Sequence, residues 1–133
     1  MSLKFELSTE ITAKAETIYN AWLDSREHAL MTEAEFAIGS HEIGAMHQAF
    51  GDYITGKNLE LVPFSKIVQS WRNVDFQDSD PDSILEIYLK EKDGITILTL
   101  IHSGVPEQEF AVEQGWEDYY FTSMKNYFKS VKK

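Results

Sequence analysis

Four histidines stand in this chain, and two of them occupy positions from which an imidazole could do chemistry. His102 falls in the alternating stretch Ile95 to Ser103, on the side that also carries Leu98 and Leu100. A period of two puts these side chains on one face of a strand, so His102 is expected to point into the interior. His47 lies in a short strand-like piece, Ala45 to Phe50, whose facing the pattern does not fix. A histidine among apolar neighbours is usually a hydrogen-bonded core residue. The functional alternative is a polar contact for a ligand, or a proton donor tuned by burial. Gln69 shares a face with Ile67 and Trp71 and carries the same two readings.

Other chemistry-bearing patterns fail on their own requirements. His41-Glu42-Ile43-Gly44-Ala45 begins like the zinc-protease helix H-E-x-x-H, but Ala45 stands where the second ligand is needed. Asp78, Asp80 and Asp82 have the alternate spacing that opens a calcium loop. The glycine and the closing carboxylate of that loop are replaced by Ser83 and Leu89, and Pro81 stiffens its middle. There is no G-x-S-x-G, no glycine-rich phosphate loop and no cysteine. No catalytic residue, metal ligand or cofactor is therefore assigned.

The elements that must position these side chains can be read in order. Leu3 to Ile11 alternates as a half-buried strand, and Thr12 to Leu23 shifts to helical spacing with Thr12 as its candidate cap. Ser25 to Thr32 is a second short helix with Ser25 as its cap. Glu33 to Val62 breaks into short strand-like pieces at Gly39, Gly44 and Gly51, of which Tyr53 to Val62 is the clearest. Lys66 to Asn73, Ser83 to Lys90 and Ile95 to Ser103 follow as strands, the last two joined by the hairpin signal Asp93-Gly94. Pro106 ends the sheet. Gln108 to Val131 then forms one long amphipathic helix, with Trp116, Tyr120, Met124, Tyr127, Phe128 and Val131 on its apolar stripe. Gly115 inside it costs about 1 kcal/mol against alanine, which a close approach of backbone or ligand would explain. Strand, two helices, a run of hairpin-connected strands and a final helix make an α+β domain over residues 1–133.

Composition narrows the partners. Twenty-two acidic residues against twelve basic ones give a net charge of −10, which repels phosphate backbones and anionic membranes, so neither nucleic acid nor a membrane is expected. Without cysteine, an N-terminal apolar leader or a long apolar run, a cytoplasmic protein is expected. Exposed strand edges leave both a monomer and a homodimer open.

Several stretches resemble a known family in the right order. They are Glu16 to Trp22, Tyr53 to Gly56 leading to Leu59 through Pro63, Ile67 to Arg72, Leu98 to Pro106, and Gln114 to Phe121. They are similar to the activator-of-heat-shock-protein-90-ATPase homologues of the START-like (SRPBCC, Bet v 1-like) superfamily. The resemblance implies a helix-grip fold: a curved antiparallel sheet of about six to seven strands around a long C-terminal helix, with two short helices after the first strand. It also implies a hydrophobic ligand held between sheet and helix, as in many members of the superfamily. The chain departs from the family pattern at Gly44-Ala45, where a glycine pair is usual, and at His47, which replaces an aromatic and would make the pocket more polar. The eukaryotic co-chaperone carries a separate N-terminal domain for which 133 residues leave no room, so the family name is not itself an expectation of function.

The reading that follows is a binding protein for a hydrophobic or aromatic small molecule. Trp22, His47, Gln69, Trp71, His102, Trp116, Tyr120 and Met124 are its candidate lining residues. A module acting on a chaperone or another protein is the alternative. A cyclase- or hydrolase-like enzyme is the second alternative. It requires His47 or His102 within reach of a carboxylate or tyrosine inside a cavity.

Overall fold

In the computed structural model, which describes residues 2–131, six strands form one antiparallel sheet in the order β1-β6-β5-β4-β3-β2. The strands are β1 (Ser2–Ile11), β2 (Met46–Ala49), β3 (Ile54–Val62), β4 (Lys66–Asn73), β5 (Ser83–Lys92) and β6 (Ile95–Pro106). Helices α1 (Ala15–Leu23) and α2 (Ser25–Thr32) follow β1, and a helix over 112–131 closes the chain. This is the helix-grip architecture.

Alternation decides which side of the sheet meets the helices. Ile67, Gln69 and Trp71 on β4, Leu85, Ile87 and Leu89 on β5, and Leu98, Leu100 and His102 on β6 are all buried. Antiparallel registry then sets rows across the sheet: Gln69 pairs with Leu85, and Leu85 with His102. His102 in turn pairs with Phe5 of β1. The strand-like pieces expected between Glu33 and Val62 reduce to β2, β3 and a single bridge from Ile38 to Gln48. The rest is a loop held by backbone hydrogen bonds such as Asn58 N–H to the Ala45 carbonyl.

Both helix caps differ from expectation. Asp24, not Ser25, caps α2, accepting the Glu27 N–H at 2.8 Å. Lys14 rather than Thr12 precedes α1 without a capping side chain, and Glu91 reaches over from β5 to accept the Ala15 N–H at 2.8 Å. A carboxylate at the positive end of a helix satisfies an orphan donor and the macrodipole together, so long-range packing replaces the local cap.

The final helix is not uniform. A single 3₁₀ turn, Glu107–Glu109, precedes α3 (Val112–Gly115), and Trp116–Phe121 is π-helical before α4 (Thr122–Val131) resumes. In a π turn residues five apart align, so Phe121 joins Trp116 and Tyr120 in the core, although the regular stripe omits it. Met124 and Phe128 are buried as the stripe requires, while Tyr127 is half-buried with its hydroxyl on Glu27. The side chain of Val131, and residues 1, 132 and 133 of the expected domain span 1–133, lie outside the described residues.

Candidate functional site

Between the middle of the sheet and the final helix the space is filled by rings. Trp22 stacks on Tyr120 with centroids 5.0 Å apart, Tyr120 lies 4.8 Å from Trp116, and Trp116 lies 5.2 Å from Trp71. His47 packs on Trp71 at 5.2 Å, and His28 meets Trp22 edge-on at 4.8 Å. Each such pair adds about 0.5–1.5 kcal/mol beyond its area of burial.

Every polar group threaded through this cluster is paired. Trp116 Nε1–H donates to His102 Nδ1 at 3.1 Å, and the Ser83 hydroxyl donates to the Trp71 carbonyl. His102 Nε2–H must therefore be the donor to Ser83 Oγ at 2.8 Å. These neighbours assign the neutral Nε2–H tautomer, and burial pushes the His102 pKa down to about 3. The serine–histidine distance is that of a nucleophile and its base, but the proton runs the wrong way, from imidazole to hydroxyl. Neither His47 nor His102 hydrogen-bonds a carboxylate or a tyrosine: His47 Nε2–H donates to the Ser70 carbonyl at 2.9 Å.

That last contact explains Gly56. A Cβ there would fall 1.9 Å from the Ser70 oxygen and 2.5 Å from His47 Nε2.

A third histidine belongs to the cluster, although its sequence position did not mark it. His28 of α2 is buried, donates from Nδ1 to the Trp22 carbonyl at 2.8 Å and accepts the Tyr120 hydroxyl at Nε2, 2.9 Å away. Burial lowers its pKa to about 4. The available signal was spacing, since His28, Met31 and Thr32 are three and four residues apart and all buried. Gln69 is the start of a relay rather than a ligand contact. It accepts Trp22 Nε1–H at 3.1 Å and donates to Asn58 Oδ1 at 2.9 Å, and Asn58 donates to the Ser40 and Glu42 carbonyls of the long loop.

At the N-terminal end of the final helix the rings part into an open cleft of about 500 Å³, within the size range of small-molecule sites. Trp71, Trp116 and Tyr120 form its floor, with His102 behind them. One wall is Phe50, Tyr53 and Ile54, at the β2–β3 turn. A second is Asn73, Asp75 and Phe76, where β4 runs into its loop, and the third is Glu109, Val112, Gly115 and Tyr119. The π turn brings Trp116, Tyr119 and Tyr120 to the cleft from one turn of helix. Phe50 sits in the left-handed region at φ 52°, a conformation that costs a non-glycine residue on the order of 1 kcal/mol and is found preferentially at functional sites.

The sequence-derived residues thus divide by position. Trp71, His102, Trp116 and Tyr120 line the cleft, whereas Trp22, His47, Gln69 and Met124 pack in the filled part of the core. His47 consequently does not make the cleft more polar; its polarity comes from Asn73, Asp75, Gln108 and Glu109. Nor does a backbone approach explain Gly115. An added Cβ would meet only the Tyr119 ring, at an ordinary 3.6 Å, and what Gly115 borders is the cleft. Among the described residues no group of three or more His, Cys, Asp or Glu is arranged to hold a metal ion. No described helix is long and apolar enough to cross a membrane.

Residues 12–129 match the family model of the Activator of Hsp90 ATPase homolog 1-like proteins. The chain belongs to this family. Over 126 residues it is 27% identical to the activator of 90 kDa heat shock protein ATPase homolog 1 of Mus musculus, covering 94% of this chain and 37% of that protein. It therefore spans little more than a third of such relatives. Among solved structures, an HSP90 activator from Plasmodium falciparum superposes with a TM-score of 0.87 at 20% identity, covering 96% of each chain. Ara h 8.0201 superposes with a TM-score of 0.75 at 12% identity over 98% of this chain and 99% of that one. These structural likenesses establish the fold, a Bet v 1-like helix grip.

Proposed function

We propose that this domain binds a hydrophobic, aromatic small molecule in the cleft at the N-terminal end of its final helix. The observation that carries the reading is the opening of about 500 Å³ walled by Phe50, Tyr53, Trp71, Phe76, Trp116 and Tyr119. The rings supply burial and stacking, and the polar groups at the rim orient the ligand. His102 acts here by fixing the Trp116 indole. It is a positioning residue and not a proton donor, because both its nitrogens are already engaged. Native mass spectrometry of freshly purified protein, followed by a thermal-shift screen of aromatic compounds, tests the proposal. A co-purified apolar molecule or a concentration-dependent rise in Tm supports it through mass action on the folded state. A bare mass with no compound raising Tm counts against it.

A second reading is docking onto Hsp90, favoured by what the relatives are named for and by exposed Ile38, Ile43, Met46 and Leu59 around the β2 edge. It predicts that immobilised domain retains purified Hsp90 and that Met46→Glu weakens the retention. Equal retention by both proteins would remove the β2 edge from consideration.

A further inference from the structure

The cleft is apolar in its floor but not neutral at its rim. Two carboxylates, Asp75 and Glu109, line it, and no lysine or arginine does. Asn73 holds them in place: its backbone belongs to the end of β4, its Nδ2–H donates to Glu109 Oε1 at 3.0 Å, and its Oδ1 accepts the Asp75 N–H at 2.7 Å. The Tyr53 hydroxyl donates to Asp75 Oδ2 at 2.9 Å. Each carboxylate thus has one oxygen committed inside the rim, and none of the described side chains donates to Asp75 Oδ1 or Glu109 Oε2. The nearby cation Arg72 lies 5.5 Å over the Phe76 ring but is turned to Asp82 and to the Gln77 and Asp80 carbonyls. The two carboxylates act together on their surroundings, since both help raise the Tyr53 pKa, after burial and the Asp75 hydrogen bond.

Electron-rich ring faces beside unneutralised carboxylates form the setting in which an organic cation is recognised. We infer that the preferred ligand of this cleft is an arylalkylamine: an aromatic body laid against Trp71, Trp116 and Tyr119, with the ammonium group of its alkyl arm at Asp75 and Glu109. The inference rests on the ligand-binding reading of the cleft and narrows it to a charge class. The same rim disfavours carboxylate- and phosphate-bearing ligands, which would meet two like charges with no counter-charge in the lining.

Three indole compounds of similar size separate the cases: tryptamine, tryptophol and indoleacetate, titrated by calorimetry into the whole domain at low salt. Tryptamine is expected to bind about fivefold more tightly than tryptophol, the scale of an ion pair with one exposed and one half-buried carboxylate. Indoleacetate should bind most weakly. In the Asp75→Asn, Glu109→Gln double variant the tryptamine-to-tryptophol ratio should fall to about one. Glu16→Gln, remote on α1, should leave it at the wild-type value. The wild-type comparison decides the matter even if the double variant fails to fold. Tryptophol or indoleacetate binding as tightly as tryptamine overturns the charge inference alone, whereas no binding by any of the three overturns the ligand-binding reading with it.

Discussion

Acid should weaken this fold already between pH 7 and pH 5, through its buried histidines. His28 and His102 are buried and neutral, with pKa values lowered to about 4 and about 3 by loss of solvation. An unfolded chain restores both to about 6.5. Between those values the unfolded state binds more protons than the folded one, so stability is complete above the unfolded pKa and falls as pH drops toward the folded pKa. From pH 7 to pH 5, each group contributes a loss of about 2 kcal/mol, roughly 4 kcal/mol together. His47 adds in the same direction, since burial lowers its pKa too. The assay is urea denaturation followed by tryptophan fluorescence at several pH values across that range. His102→Leu should lower stability at neutral pH by about 1–3 kcal/mol, because the Trp116 indole loses a buried acceptor. It should also remove about 2 kcal/mol of the pH dependence. A flat stability between pH 7 and pH 5 would refute the buried-neutral assignment, as would an undiminished pH dependence in the variant.

Three other predictions concern packing. Gly56→Ala should destabilise the fold by roughly 2–4 kcal/mol, read as a lowered urea midpoint, because its Cβ would collide with the Ser70 carbonyl beside His47. Gly115→Ala should raise stability by up to about 1 kcal/mol, since the backbone there is helical at φ −59° and the new methyl meets nothing closer than 3.6 Å. Gln69→Leu should cost roughly 1–3 kcal/mol by orphaning the Trp22 indole and the Asn58 side chain. Faster amide exchange in the Ser40–Glu42 loop should accompany that loss, because Asn58 holds the loop's carbonyls.

Which features were legible in the sequence follows from which forces are local. Strands β4, β5 and β6 could be read because their large apolar side chains recur every second residue on the core face, even where Ser70 on the other face of β4 is also buried, and the Asp93-Gly94 turn fixes one hairpin. The inward facing of His102 came from the same rule. The α1 cap could not be read, because its partner Glu91 lies 76 residues away. His28 was hidden for a like reason: its hydrogen-bond partner Tyr120 is 92 residues distant, and α2 is a short helix with a weak apolar stripe. The π turn changes the helical period over Trp116–Phe121 without leaving a signature that periodicity can register. It is also what brings three aromatic residues to the cleft, so the candidate site was legible as a set of rings but not as an opening at one end of them. The acidic rim required Asn73 to join a strand end to the turn before the final helix.

The most direct test is a titration with the neutral naphthalene dye prodan, comparing the wild-type domain with Gly115→Phe, in which a ring is placed at the cleft wall. Binding in the cleft predicts a saturable blue shift in wild type that is lost or strongly weakened in the variant, with the variant still folded by near-ultraviolet circular dichroism. Equal binding by both proteins, or none by wild type, would contradict it.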